Sequence, residues 1–163
     1  MVRAATSDDL DAVLDVGARS WDATYTSLAG AEYVRRGLAL WWKRHDMLSA
    51  IVAGRVCVVE SDGRVVGMLL GVVDDEVLDV WKLYVAPEAQ RAGAGSALLR
   101  AAISQHRGDV RAVRLAYKDG NVRARDFYTG HGFVETHRGP DDIGGPANVW
   151  MALDLERAST APA

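Results

Sequence analysis

Over the first fifty positions the apolar residues recur with the spacing of helices. Thr6 and Ser7 precede Asp8 and Asp9, an N-cap followed by acidic residues that suit the positive end of a helix. Leu10, Val13, Leu14 and Gly17 then fall at i, i+3, i+4 and i+7, on a single face. A second helix is expected from Ala31 to His45, with Val34, Leu38 and Trp41 inward. Trp42 lies one step round that helix, exposed or at a site. The segment Trp21 to Tyr25 between the two, rich in aromatic and hydroxyl groups, reads as a loop.

Beyond Gly54 the period becomes that of strands. Arg55 to Glu60 and Arg64 to Val73 are Val-rich runs joined at Ser61-Asp62-Gly63, whose Asp-Gly pair suits a hairpin turn. Asp74-Asp75-Glu76 turns into a further strand, Val77 to Val85, which Pro87 ends. Gly93 to His106 reads as a helix with Ala97, Leu98, Ala101 and Ala102 inward. Val110 to Tyr117 reads as a strand, Asn121 to Thr129 as a helix, and Phe133 to His137 and Val149 to Leu155 as strands. A Gly- and Pro-rich loop or flap, 138–148, separates the last two. The order β-α-α-β-β-β-α-β-α-β-β is that of an α/β (α+β) protein, a mixed sheet of six to seven strands flanked by about four helices. One domain is expected over 1–155, with a disordered tail at 156–163.

Composition narrows the class. The 163 residues suffice for one well-buried domain, and 22 acidic against 19 basic residues leave a net charge of −3. That balance argues against a nucleic-acid partner, which calls for a basic stripe. No apolar run approaches the ~20 residues of a membrane span, and no signal segment opens the chain, so a cytoplasmic protein is expected. The lone cysteine, Cys57 between Val56 and Val58, excludes a disulfide framework and reads as a core residue. His45, His106, His131 and His137 show no ligand spacing, so no metal is expected.

Two segments carry chemistry. In Leu83-Tyr84-Val85 followed by Gln90-Arg91-Ala92-Gly93-Ala94-Gly95-Ser96, a strand leads through a glycine-bearing turn into a helix. Converging backbone N–H groups and the helix dipole there suit a phosphate or pyrophosphate, with Arg91 as a neutralising charge. A plain strand-to-helix connection uses the same glycines. A dinucleotide fingerprint fails because Leu98 stands where its third glycine belongs, and no Gly-Lys-Ser/Thr makes a P-loop. In the second segment, Asn121, Ala124 and Tyr128 stack on one helical face: an amide, a methyl and a phenol. A surface helix with Phe127 and Tyr128 packed inward is the plainer alternative.

Together these runs resemble the acetyl-CoA signature and second motif of the GNAT superfamily of N-acetyltransferases, and the element order agrees over nearly the whole chain. The resemblance implies acetyl-CoA as co-substrate, with backbone groups of Leu83, Tyr84 and Val85 beside pantetheine. It places the amides of the Gln90-Arg91-Ala92-Gly93-Ala94-Gly95-Ser96 turn on the pyrophosphate. It implies Asn121 and Ala124 along the pantetheine arm and Tyr128 as general acid. Asp79 and Glu60 are the candidate general bases, with water as the alternative. For the acceptor pocket, Trp21, Asp22, Tyr25, Glu32 and Trp42 are the candidates; the two acids would hold a cationic substrate, while Trp81 and Trp150 read as packing. The implied activity is acetylation of a small-molecule amine by direct attack. A protein N-terminus or lysine is the alternative acceptor, and a non-catalytic CoA-binding regulatory module the alternative class. A homodimer is the habit of the family.

Overall fold

The computed structural model describes residues 1–158, and the expected tail lies outside it from 159 onward. Seven strands form one sheet in the order β1-β2-β3-β4-β5-β7-β6. They are β1 (Val2–Ala4), β2 (Val56–Ser61), β3 (Arg64–Asp74), β4 (Val77–Val85), β5 (Ala112–Lys118), β6 (Val134–Gly139) and β7 (Asn148–Asp154). All neighbours pair antiparallel except β4 and β5. Asp62 and Gly63 turn β2 into β3 with positive φ at both, and Asp75 and Glu76 do the same between β3 and β4. This is the primed geometry that matches strand twist.

The helices are α1 (Leu10–Ala29), α2 (Ala31–Trp41), α3 (Arg44–Val52), α4 (Ala94–Gln105), α5 (Val122–Gly130) and a last turn, α6 (Leu155–Ala158), where the tail was expected to begin. Strand alternation splits the core in two. Val56, Val58, Met68 and Leu70 pack under α1, α2 and α3, while Val59, Leu69, Leu78 and Val80 pack against α4 and α5.

Three expectations about the N-terminal half are corrected. Trp21 to Tyr25 is helix, because Val13, Gly17, Trp21, Tyr25 and half-buried Leu28 keep the helical phase down to Gly30. Burial of those rings outweighs their modest helix propensity. The second helix stops at Trp41, and Lys43 is the extended residue before a separate α3, which buries Met47 and Ile51. Because the helix breaks there, its phase does not govern Trp42, which turns into the core. Its ring fills the space beside Gly17, where a β-carbon would stand 2.2 Å away; Trp21 fills the corresponding space beside Gly37, at 2.1 Å. Trp41 is only half-buried, and Trp81, read as packing, is 63% exposed.

Candidate active site

β4 and β5 are neighbours for four residues. Val77–Val80 pair with Ala112–Leu115, after which β4 runs on to Val85 and β5 to Lys118 without bonding each other. On the other edge of β4 the register with β3 slips by one residue at Trp81, a bulge that bends the strand away. The gap opens into two cavities, of about 640 and 430 Å³, which share Tyr25, Val80, Trp81, Tyr84, Ala116 and Tyr117.

The larger cavity runs from the gap to the start of α4. The first turn of that helix has no side-chain cap, so its N–H groups are left to whatever lies beyond. Arg91 and Gly93 both take positive φ, +69° and +81°, the left-handed backbone found in turns whose amides gather round an anion. A β-carbon on Gly93 would meet nothing within 4 Å, so its backbone conformation is what requires glycine. Gly95 differs: a β-carbon there would press the Phe127 ring at 3.3 Å, so that glycine lets α4 approach α5. Gln90 donates from Nε2 to the Val85 carbonyl at 3.0 Å and accepts from Arg123, tying the end of β4 to α5. Ser20 Oγ donates to the same carbonyl at 2.9 Å. Leu83, Ala94 and Ser96 also line the cavity, whereas Ala92 is exposed and does not.

From α5, Asn121, Ala124 and Tyr128 reach the same space. Asn121 caps its helix, Oδ1 accepting from the Ala124 N–H at 3.1 Å, and its amide also lies beside the Tyr25 hydroxyl. Tyr128 is buried against Tyr117, Phe127 and Phe133. Burial, then the neighbouring Tyr25, pushes its phenol well above the ordinary value near 10. Burial does the same to Tyr25 and Tyr84. Tyrosines 25, 84, 117 and 128 thus crowd the gap as neutral O–H groups.

The smaller cavity gathers all five tryptophans of the chain, from positions 21, 41, 42, 81 and 150. Asp79 lines it, with both carboxylate oxygens held by Arg114 at 2.6 and 2.7 Å. Lys82 lies 5.3 Å from the centroid of the Trp42 ring, and Lys118 the same distance from that of Trp41. Lys118 pairs with Asp141, whose side chain is fully buried, and donates to Asn148 at 2.7 Å. Asp141 also accepts from the N–H groups of Ile143 and Gly145, at 3.2 and 2.9 Å, which folds the expected flap against the cavity. Burial raises the Asp141 pKa, yet Lys118 and these N–H groups outweigh it and hold the carboxyl below its ordinary range.

Several candidates do not reach either cavity. Asp22 is exposed and accepts from Thr26, and Glu32 is exposed and paired with Arg35. Glu60 sits at the far end of β2, where Arg3 bridges it to Asp9. Cys57 lines neither cavity, and burial pushes its thiol up to about 11. Among the described residues no group of three or more His, Cys, Asp or Glu could hold a metal, and no helix is long and apolar enough to cross a membrane. Trp81 and Trp150, read as packing residues, both line the smaller cavity, and sequence reasoning passed over Lys82 and Tyr117; of these, Trp81 and Lys82 lie together on β4. These two directly precede Leu83, which was the available signal for them; Tyr117 carried none, because β5 meets β4 only in the fold.

The model of the acetyltransferase (GNAT) family matches residues 19–133. No curated protein sequence matches the chain. The PaiA N-acetyltransferase of Thermoplasma acidophilum, solved in complex with coenzyme A, is 20% identical and superposes with a TM-score of 0.83, over 94% of this chain and 98% of that one. Ard1 of Thermoplasma volcanium is 21% identical, with a TM-score of 0.75 over 94% and 96% of the two chains. The ribosomal-protein-S18-alanine N-acetyltransferase of Escherichia coli is 21% identical, with a TM-score of 0.70 over 95% and 93%. At these identities the likeness is one of fold.

Proposed function

This chain belongs to the GNAT acetyltransferase family, and from that premise we propose that it transfers the acetyl group of acetyl-CoA to the primary amine of a small molecule, by direct attack with both substrates bound. The observation that carries the reading is the β4–β5 gap, which opens on one side toward the uncapped start of α4 and on the other toward a separate aromatic cavity. A donor and an acceptor can therefore reach the same point from opposite sides.

The donor supplies a thioester-activated acetyl group; the C–N bond forms, the C–S bond breaks, and the proton lost by the amine balances the one the thiolate gains. The turn from Arg91 to Ser96 would bind the pyrophosphate with backbone N–H groups, aided by the partial positive charge of α4. The free edge of β4 beyond Val80 and the amide of Asn121 would hold the pantetheine arm, and Ala124 leaves room for it. N–H donors fixed before charge develops are a large catalytic term. Tyr128 Oη, its pKa raised, keeps its proton through the neutral range and meets a leaving thiolate as a donor.

The acceptor must attack as a free amine. At neutral pH deprotonation costs roughly 4.6 kcal/mol for an amine of pKa ~10.4 but only about 1 kcal/mol for an α-amine near ~7.8. Of the two carboxylates considered as base, Asp79 alone lines the acceptor cavity, and Arg114 occupies both of its oxygens. The Arg114 ion pair competes with a proton for the Asp79 carboxylate, and we assign the proton to water at the open mouth. The competing reading, a protein N-terminus, draws on the E. coli relative, whose name states a protein acceptor. Thiol release from acetyl-CoA, followed over panels of small amines and of peptides, tests the proposal. Release with small amines and not peptides is expected. Coenzyme A binding without release by any amine would refute it in favour of a regulatory module.

A further inference from the structure

The charges around the tryptophan-lined cavity are not equivalent. Arg114 is neutralised by Asp79, and Lys118 by Asp141. Lys82 has no ion pair and no hydrogen bond among the described residues; the acid nearest in influence is Asp46 on α3, outside the cavity walls. Of the acids lining the cavity, Asp142 is left unpaired, and it is exposed to water at the rim. Two buried tryptophans of the same wall, Trp21 and Trp42, carry indole N–H groups without an acceptor among the described residues; that of Trp21 lies near the Tyr84 phenol but short of hydrogen-bond geometry. The wall is thus short of acceptors, not of donors.

A cationic acceptor with no anionic group is a poor match here. The Trp41 and Trp42 faces already carry the protein's own ammonium groups, and a further cation would meet the uncompensated charge of Lys82. An anion has a place. Burial lowers the pKa of Lys82, so its charge is held at a cost that a bound carboxylate offsets. At about 430 Å³ the cavity falls in the ~300–1,000 Å³ range of small-molecule sites.

We propose that this cavity takes an amine that carries both an aromatic ring and a carboxylate, of the aromatic amino-acid class, with its ring against Trp81 and Trp150, whose faces no ammonium group of the described residues covers, and its carboxylate on Lys82. This reverses the charge expected from Asp22 and Glu32. The fate of the amine rests on the acetyltransferase reading; the binding does not.

Because all five tryptophans line the cavity, intrinsic tryptophan fluorescence reads binding directly, without turnover. Phenylalanine and phenethylamine, which differ only by the carboxylate, are titrated against wild type, Lys82→Met and Lys82→Arg, and the same pair is then assayed for thiol release from acetyl-CoA. Wild type is expected to bind phenylalanine at least tenfold tighter, the scale of one charge-assisted hydrogen bond. Lys82→Met should abolish that preference and Lys82→Arg retain it. Equal or tighter binding of phenethylamine, or a preference that survives Lys82→Met, overturns the proposal. Thiol release without a carboxylate preference overturns it while leaving acetyl transfer standing. A preference in binding with no release supports the site and counts against acetyl transfer.

Discussion

Replacing Asp141 with Asn tests whether the flap is a built wall of the acceptor cavity. The carboxylate is fully buried and serves Lys118 and two backbone N–H groups, with the Tyr33 hydroxyl at 3.4 Å. Asparagine keeps one carbonyl acceptor, and Lys118 keeps Asn148, but the charge is gone. Breaking a buried pair from one side costs about 3–5 kcal/mol, and the surviving contacts put this case near the lower end. In a domain of this size each kcal/mol moves Tm by about 2–4 °C, so Tm at pH 7 should fall by roughly 6–12 °C. The pH dependence has a definite sign. Asp141 is held below its ordinary value, so the pair's contribution is complete above pH ~4 and is lost as pH falls through the lowered folded value. The gap in Tm between wild type and variant should hold from pH 5 to 8 by calorimetry and close on acidification below about pH 4. At a temperature where the variant is folded, KM for the acceptor should rise while coenzyme A affinity stays put, since the flap touches only the smaller cavity. A Tm within about 1 °C of wild type at pH 7 would refute the reasoning.

Three further outcomes follow from the geometry. Tyr128→Phe should lower kcat by about 10²-fold or more, in the range of a lost general acid, with coenzyme A affinity changed much less; unchanged turnover in steady-state assays would remove the role. Gly93→Ala must hold a β-carbon at φ +81°, a strain of about 1–2 kcal/mol that the turn sheds by leaving its anion-binding shape, so calorimetric titration should show roughly five- to thirtyfold weaker coenzyme A binding, and wild-type affinity would defeat the phosphate assignment. Asp79→Asn should keep the acidic limb of the pH–rate profile, because Arg114 already occupies both oxygens; disappearance of that limb would make Asp79 the base.

The lining of the cavity proposed for the donor was legible in the chain because it is made of neighbours. Leu83 to Ser96 is a strand, a turn and a helix start in succession, and the groups proposed to hold the pyrophosphate are backbone amides set by local φ at Arg91 and Gly93. Asn121, Ala124 and Tyr128 are fixed by helical period alone. The strands and both hairpin turns were legible for the same reason. Trp21 to Tyr25 misled because the residues there have modest helix propensity, while the contacts that make them helical, with Gly37 and Tyr33, lie on another element.

The acceptor half follows the opposite rule. Its walls come from α1, α2, β4, β5, the flap and β7, and no periodicity links Trp21 to Trp150. Local acidity drew attention to Asp22 and Glu32, yet an acidic residue on a helix is satisfied most cheaply by a cation one turn away, as Glu32 is by Arg35. Beyond its place directly before Leu83, Lys82 gave no signal; what marks it is the residue inserted at Trp81, which bends β4 where it leaves β5, and the lack of an ion pair or hydrogen bond among the described residues once the fold closes. On the proposed reading, selection of the acceptor resides in long-range contacts that a linear motif cannot encode, while acetyl delivery resides in short-range ones that it can. On that division, exchanging Lys82 and the flap should change which amine is acetylated without altering how the donor is held.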